Sequence, residues 1–308
     1  MSNSQSLLDP AAHEAGVHFS DLTRDLRRRI DDALQAHTQY GPDCPPELAA
    51  AIRHSLLAPA KRLRPLLLLM AADACGCDGS RAIAAACAVE MVHTYSLIHD
   101  DLPAMDDDDM RRGRPSCHAQ FGEATAILAG DALLAQAFEV LATGILPPAV
   151  AARCCGELAK AAGACNLVGG QEDDLKAQFS TLGIEQLERI HRRKTGAMIR
   201  VSLRLGGLVA GASEAHLAAL DVYGNRLGLA FQIIDDLLDL AGDENSLGKR
   251  TGKDADHGKL TFPAVLGIAE SRHRAHQLIE EAIAALAPLV PQASALESLA
   301  RYVLERDR

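Results

Sequence analysis

The segment Leu97–Arg112 concentrates side chains of the types that bind metals and phosphates. It holds six aspartates and two arginines in sixteen residues, directly after an apolar run. Crowded carboxylates repel one another, and their pKa values rise unless cations neutralise them. Mg²⁺ is a hard cation that takes carboxylate oxygens together with substrate phosphates, and arginine binds phosphate through its bidentate guanidinium group. The segment therefore predicts a site for a divalent cation and a diphosphate.

A second aspartate cluster closes another apolar run, at residues 231–239. On a helix, Asp239 lies four residues after Asp235 and three after Asp236, so the three carboxylates share one face. The amide of Gln232 lies on the same face. A single acidic run is usually a solvated surface, but two runs that each follow an apolar stretch and precede basic residues favour a paired metal site.

The spacing of the first cluster leaves its third member open. Asp106 lies six residues after Asp100 and would point elsewhere on an unbroken helix. Pro103 favours a kink, which would loop out the intervening residues and return Asp106 to Asp100 and Asp101. On a straight helix, Asp107 would be the better partner.

Basic and polar residues lie where a phosphate could meet the first cluster. Lys61 and Arg64 are three residues apart at the start of a predicted helix. Positive charge there opposes the helix dipole, so the placement needs another cause. His93 lies seven residues before Asp100 and Ser96 four residues before it, so both share the face of that aspartate.

The composition favours helices in a single domain. Hydrophobic residues make up 48% of the chain and aromatic residues only 3%, with no tryptophan, which favours helix over strand. Because no Pro-, Gly- or Ser-rich linker divides the 308 residues, we predict one all-α domain over 1–308, with residues 1–14 as a loose arm. Helical periodicity is predicted over segments that include 17–34, 46–58, 82–101, 123–141 and 148–171.

Charge and cysteine content argue against several classes of function. The net charge of −10 disfavours a nucleic-acid partner, because phosphate backbones need clustered cations. The eight cysteines lack the spacing of a zinc site and lie in apolar surroundings, which is typical of reduced, buried thiols. With no signal peptide and no apolar run long enough to span a bilayer, the sequence predicts a cytoplasmic protein without a transmembrane segment.

The two aspartate motifs, DDLPAMD at 100–106 and DDLLD at 235–239, resemble those of the trans-isoprenyl diphosphate synthases. The segments KRLRP at 61–65, KTG at 194–196 and GKRTGKD at 248–254 resemble that family as well. The resemblance runs from about residue 61 to the C-terminus, with a looser match before it. It is strongest to the bacterial members that form farnesyl diphosphate.

This resemblance implies an all-α fold of antiparallel helices around a deep apolar cavity, with the two clusters facing each other at its mouth. It implies a transferase that joins isopentenyl diphosphate to dimethylallyl and then geranyl diphosphate, by ionisation of the allylic diphosphate. The implied cofactor is Mg²⁺, as several ions held between the clusters and with Mn²⁺ as an alternative. A homodimer is also implied.

The resemblance also implies roles for individual residues. The implied metal ligands are Asp100, Asp101, Asp106, Asp235, Asp236 and Asp239. Isopentenyl diphosphate is assigned to Lys61, Arg64, His93 and Arg112, and the allylic substrate to Arg111. The residues facing the reacting carbon and its leaving group are Lys194, Thr195 and Gln232, and the lid lysines are Lys249 and Lys259. The bulky Tyr95 becomes the stop for the growing chain, while the small Ser96 leaves room for it.

Some residues depart from the family pattern. Ala58-Pro59-Ala60 replaces glycines expected before Lys61, so the backbone contacts to phosphate there stay open. Gln171 and Asp174 match a family position near the second cluster, whereas Glu172 and Asp173 replace small or apolar residues and are interpreted as surface variation.

Three other functions share parts of this sequence pattern. A terpene cyclase normally replaces the second aspartate motif by an Asn/Ser/Glu pattern, and a non-catalytic subunit tends to lose one motif. Both motifs are intact here. A synthase that makes geranyl or geranylgeranyl diphosphate remains an alternative, because product length is not fixed by the motifs.

Overall fold

The structure is a computed structural model that describes residues 10–177, 183–241 and 260–305. Over these residues the chain is almost entirely helical, which confirms the predicted all-α class. The helices are α1 Pro10–His37, α2 Pro46–Leu56, α3 Leu63–Ala74, α4 Ile83–Asp100, α5 Cys117–Phe121, α6 Glu123–Gly144, α7 Pro148–Ala162, α8 Leu167–Ala177, α9 Ile184–His191, α10 Ala197–Ala210, α11 Glu214–Ala241, α12 Phe262–Leu266, α13 Ile268–Ala285 and α14 Ser294–Glu305.

Short irregular elements connect some of these helices. Turns of 3₁₀ helix precede α4 at Gly79–Ala82 and follow α13 at Ala287–Leu289. A π-helical segment, Arg192–Gly196, joins α9 to α10. Two short antiparallel strands, β1 Met110–Arg111 and β2 Arg114–Pro115, form a hairpin after α4.

One hydrophobic core runs through the described part of the chain, from Ile30 of α1 to Val303 of α14. Helix α3 is buried on all sides from Pro65 to Ala72, because its run of leucines and alanines has no polar face. It packs against α4 and α10, and α10 packs in turn against α11. These central helices carry the candidate site residues at or near their ends.

Two helix boundaries differ from the sequence prediction. Helix α1 begins at Pro10 and so enters the segment expected to be a loose arm. The helix expected over 148–171 is two helices, since α7 ends at Ala162 and α8 begins at Leu167. Gly163 has extended backbone at this break, which ends the helical hydrogen-bond ladder.

Two helical stretches among the described residues are long and apolar enough to cross a bilayer, whereas the sequence pattern predicts none. In Gly79–Asp100, 78% of the most apolar window is buried inside the protein, as in the core helix of a globular fold. In α6 only 39% of that window is buried. Ile127 and Leu128 are exposed there, so α6 presents an apolar face to its surroundings.

The crossing of α3 and α10 gives a test of this packing. A Cβ at Gly206 would lie 2.2 Å from the backbone oxygen of Leu68, so the helices would have to separate. We expect Gly206→Ala to lower the free energy of unfolding by about 1–3 kcal/mol, measured by urea denaturation. Gly156→Ala is the matched control, because nothing lies within 4 Å of its Cβ position on α7. It should raise stability by roughly 0.5–1 kcal/mol, and equal losses in both variants would contradict the packing described.

Candidate active site

The first aspartate cluster is built by a tight loop that follows α4. The helix ends at Asp100, and the backbone amide of Asp106 then donates to the carbonyl of Asp100 at 2.9 Å. The amide of Asp108 donates to the carbonyl of Asp101 at 3.1 Å. The chain therefore turns back and brings Asp106 beside Asp100, whereas Asp107 is exposed with a positive φ of 51°.

Arg111 is tied to the same loop. Its Nε donates to Asp101 at 2.9 Å, its Nη2 also contacts that carboxylate, and Nη2 lies 3.3 Å from Asp108. Asp101 is only 2% exposed, so this ion pair is shielded from water. Burial lowers the pKa of Arg111, but the negative charges of Asp101 and Asp108 raise it by more, so the pKa is raised overall. Asp101 therefore acts as a support for Arg111.

The hairpin between β1 and β2 sets Arg112 beside Arg111. Arg111 pairs with Arg114, and the two residues between them, Arg112 and Gly113, have φ values of 54° and 73°. Positive φ at both central positions is the geometry of a type I′ turn. A non-glycine residue in this region is strained, and such strain is concentrated at functional sites.

The second cluster lies near the end of α11, as the helical spacing predicts. Asp236 is buried and accepts hydrogen bonds from Gln232 Nε2 at 3.1 Å and from the backbone amide of Phe262 at 2.9 Å. Asp235 and Asp239 are half-buried. Asp236 thus connects α11 to the start of α12.

The π-helical segment connects the two clusters. Lys194 Nζ lies 2.7 Å from Asp174, and the pKa of Lys194 is raised, because Asp174, Asp100 and Asp106 outweigh the effect of desolvation. The next residue, Thr195, donates from Oγ1 to Gln232 Oε1 at 3.2 Å. Charged and polar side chains therefore extend from the first aspartate cluster, through Lys194 and Thr195, to the second.

Helix α8 holds this segment from the other side. A Cβ at Gly170 would lie 2.4 Å from the backbone nitrogen of Lys194, so only glycine permits the approach. Asp173 forms an ion pair with Arg193, whose Nε also donates to the carbonyl of Cys165 at 3.0 Å. The interpretation of Asp173 as surface variation is therefore wrong. Glu172 forms only an exposed pair with Lys176.

The chemistry of the carboxylates fits a hard divalent cation. Burial raises the pKa of Asp100 to about 6, and the negative charges of Asp106 and Asp101 add to this rise against the opposing charges of Lys194 and Arg111. Mg²⁺ binds carboxylate oxygens of this kind, which nearby cations only partly neutralise, together with phosphate oxygens. Within the described ranges, no group of three or more acidic, histidine or cysteine side chains is arranged to hold a metal ion by itself. A bound Mg²⁺ would therefore need further oxygen ligands, such as those of a phosphate.

A cavity of about 450 Å³, lined in part by Arg111, is mainly cationic and so is opposite in charge to the aspartate cluster. Its lining includes the predicted phosphate-binding residues Lys61, Arg64, His93, Arg111 and Arg112. Desolvation and the positive charges of Arg64 and Arg112 lower the pKa of His93 well below its usual value, so this imidazole is neutral. Desolvation also lowers the pKa values of Arg64 and Arg112. So many cations in one cavity indicate an anionic ligand.

Arg62 lines the same cavity, but acidic side chains of the protein neutralise its charge. It is 3% exposed and lies 2.8 Å from both Glu90 and Asp31, and it also donates to the carbonyl of Ala58 at 3.2 Å. Its φ of 51° places it at the N-terminal end of α3, where the backbone turns into the helix. Pro59 and Ala60 lie in the cavity wall beside it. Arg62 therefore holds the segment before α3 in place.

Tyr95 and Ser96 lie on α4, one turn before the first cluster. Tyr95 is buried and packs edge-on against His99, with ring centroids 5.7 Å apart. Burial and the nearby charge of Asp100 raise the pKa of Tyr95 to about 12. Ser96 is half-buried, and its hydroxyl donates to the carbonyl of His93 at 2.9 Å. Both side chains are thus close to the level of the first aspartate cluster.

The structure brings together most of the predicted site residues, and it adds others. The two predicted lid lysines, Lys249 and Lys259, lie outside the described residues. Glu90, Arg27 and Asp173 were not predicted to act at the site. The apolar surroundings of Glu90 on α4 were the one signal available in the sequence, because a carboxylate there needs a buried partner.

Comparison with known proteins identifies relatives over nearly the whole chain. The polyprenyl synthetase family model matches residues 45–292. The farnesyl diphosphate synthase of Escherichia coli (strain K12) is 44% identical over 299 residues, which cover 94% of this chain and 100% of the relative. The enzyme of the same name from Geobacillus stearothermophilus is 46% identical, with 95% and 99% covered.

Solved structures match as well. A crystal structure of an FPP/GFPP synthase from Zymomonas mobilis has a TM-score of 0.83 at 35% identity and covers 94% of this chain and 99% of that one. Geranylgeranyl pyrophosphate synthetase from Pyrococcus horikoshii has a TM-score of 0.84 at 33% identity, with 96% and 99% covered. These relatives are named for different product lengths, so the shared fold does not determine that length.

The cationic cavity predicts binding of a simple diphosphate without a metal. Arg64 Nε is buried and has no hydrogen-bond partner among the described residues. We expect Arg64→Met to weaken inorganic pyrophosphate binding at least about tenfold in calorimetry without divalent ions, from loss of one charge-assisted contact. Arg81→Met, which removes an exposed arginine before α4, should leave the affinity unchanged. Equal losses in both variants would show that general surface charge binds the anion.

Proposed function

Because the chain belongs to the polyprenyl synthetase family, we propose that it joins isopentenyl diphosphate to dimethylallyl and then geranyl diphosphate, forming farnesyl diphosphate. One observation carries the proposal. A cationic cavity suited to one diphosphate adjoins a carboxylate cluster suited to a metal-bound second diphosphate, and Arg111 lies at both. A reaction that unites two diphosphate esters needs two such neighbouring sites.

In this proposal Asp100, Asp106, Asp235 and Asp239 hold Mg²⁺, as several ions and with Mn²⁺ as a substitute. Asp101 and Asp236 were predicted as ligands too, but they accept hydrogen bonds from the protein and take a positioning role. Bound Mg²⁺ would neutralise the carboxylates and the allylic diphosphate, and so make that diphosphate a better leaving group.

The side chains of this protein account for the remaining requirements of the reaction. Lys194 and Arg111 bind the departing diphosphate as the allylic C–O bond breaks. The oxygens of Thr195 and Gln232 face the carbon that becomes positive, where fixed dipoles stabilise developing charge. The double bond of isopentenyl diphosphate then attacks that carbon. The proton lost in the last step goes to the released diphosphate.

The cationic cavity holds isopentenyl diphosphate during this attack. Lys61, Arg64 and Arg112 bind its phosphates, and the neutral His93 supplies a hydrogen-bonding nitrogen. Lys249 and Lys259 are proposed to close over the substrates as lid residues. We further propose that the protein is cytoplasmic and forms a homodimer. The exposed apolar side chains of Ile127 and Leu128 on α6 support the dimer.

The direct test is incubation of the purified protein with isopentenyl and dimethylallyl diphosphates and Mg²⁺, with products sized by chromatography. A fifteen-carbon product is expected. A ten- or twenty-carbon product would correct the chain length. Absence of any product would favour a non-catalytic subunit.

The first cluster predicts a difference between two neighbouring aspartates. We expect Asp106→Asn, like Asp235→Ala, to lower kcat by roughly 10³, or about 4 kcal/mol of barrier, because a metal ligand is lost. Asp107→Asn should stay within about threefold of wild type, because this residue is exposed and asparagine tolerates its positive φ. The helical circular dichroism spectrum should be the same in all three. A larger loss in Asp107→Asn than in Asp106→Asn would reverse the assignment.

Product length gives a further prediction, since Tyr95 and Ser96 lie just below the cluster. Helical rise places Ser96 about 6 Å from Asp100 along α4. Ser96→Phe should fill this space and shift the product toward geranyl diphosphate, whereas Tyr95→Ala should lengthen it beyond farnesyl diphosphate. Chromatography of the dephosphorylated products measures both. An unchanged product distribution in both variants would mean that the chain grows along another wall.

A further inference from the structure

Arg27 of α1 lies in the lining of the cationic cavity, although no motif marks it. Thr23, Ile30 and Leu34 define the inward face of α1, since each is at most 1% exposed. Arg27 follows Thr23 by four residues and precedes Ile30 by three, so it shares that face. An arginine among buried positions is unfavourable unless something offsets the cost, because its guanidinium group loses hydration there.

The two nearest arginines on α1 show what an ordinary surface position looks like. Arg24 and Arg28 have side chains that are 74% and 72% exposed. Each lies near an aspartate three residues earlier, Asp21 at 2.6 Å and Asp25 at 3.4 Å. Arg27 is instead half-buried and forms no ion pair within the described residues.

The guanidinium group of Arg27 also retains hydrogen-bonding capacity. Its Nη2 donates to Thr23 Oγ1 at 3.1 Å, which fixes the side chain along the helix. Its Nε is buried and has no hydrogen-bond partner in the part of the chain that the structure describes. A buried donor without a partner costs free energy, which a ligand oxygen would recover.

The charge balance of the cavity favours an anion as that ligand. Glu90, the carboxylate in its lining, is already paired with Arg62 at 2.8 Å. Arg27 adds a further positive charge to those of Lys61, Arg64 and Arg112. It comes from α1, whereas those three come from the start of α3 and from the hairpin. A diphosphate has oxygens on every side and can be bound from several elements at once.

We propose that Arg27 is a further binding residue for the diphosphate of isopentenyl diphosphate, donating its Nε–H and remaining Nη–H groups to phosphate oxygens. This inference rests on the assignment of the cavity in the proposed function. It adds α1 to the elements that build the substrate site. Binding of the diphosphate would then also fix α1 against the rest of the protein.

The kinetic test compares Arg27→Met with Arg28→Met, because methionine removes the charge and leaves an apolar stem. In Arg27→Met the KM for isopentenyl diphosphate should rise by about 10- to 100-fold, as expected for one charge-assisted contact. The kcat and the KM for dimethylallyl diphosphate should stay within about twofold. Arg28→Met should change none of these. Arg27→Lys, which keeps the charge, should recover part of the lost affinity.

A binding measurement separates this inference from the proposed function. Calorimetry with inorganic pyrophosphate in EDTA should show weaker binding for Arg27→Met and wild-type binding for Arg28→Met. Wild-type protein that binds pyrophosphate but forms no prenyl product would refute the proposed function alone. Equal pyrophosphate affinity in the two variants and the wild type would overturn the role of Arg27, as would equal KM increases for both substrates. Urea denaturation of each variant checks that folding is intact.

Discussion

The site depends on holding two separate groups of charged side chains, one positive and one negative, inside one protein. Arginines and a lysine line one cavity, and aspartates gather at the ends of α4 and α11 beside it. Neither group is stable when buried alone, because repulsion and lost hydration both oppose the charged forms. The raised pKa of Asp100 and the lowered pKa of Arg64 are two results of this conflict. Ligands of opposite charge reduce the repulsion within each group, so the fold favours ligand binding.

Ion pairs within the protein neutralise some members of each group. Arg62 is held by Glu90 and Asp31, Arg111 by Asp101, and Lys194 by Asp174. The Arg62–Glu90 pair is fully buried. Such a pair contributes little net stability, but removal of one partner leaves an uncompensated charge. The pairs therefore fix geometry more than they stabilise the protein. Of these paired cations, Arg111 and Lys194 are the two that we also assign to the departing diphosphate.

Features that follow helical periodicity could be predicted from the sequence. The three aspartates of α11 and the position of His93 before Asp100 depend only on spacing along a helix. The return of Asp106 to Asp100 could not be derived in the same way, because it depends on backbone hydrogen bonds in the loop. Asp173 pairs with a residue twenty positions away, and Arg27 faces a cavity built by other helices. Such long-range contacts leave no periodic signal in the sequence.

The most direct measurement compares the metal dependence of the two diphosphate sites in the absence of turnover. Calorimetry would use isopentenyl diphosphate and, separately, a thiolo analogue of dimethylallyl diphosphate that resists ionisation, each with Mg²⁺ and with EDTA. We predict that isopentenyl diphosphate keeps its affinity within about threefold in EDTA, because protein cations bind it. The allylic analogue should lose at least about tenfold, or 1.4 kcal/mol, because carboxylates repel its diphosphate without a metal. Loss of isopentenyl diphosphate binding in EDTA, with the allylic analogue unaffected, would contradict the division into a metal-independent cationic site and a metal-dependent aspartate site.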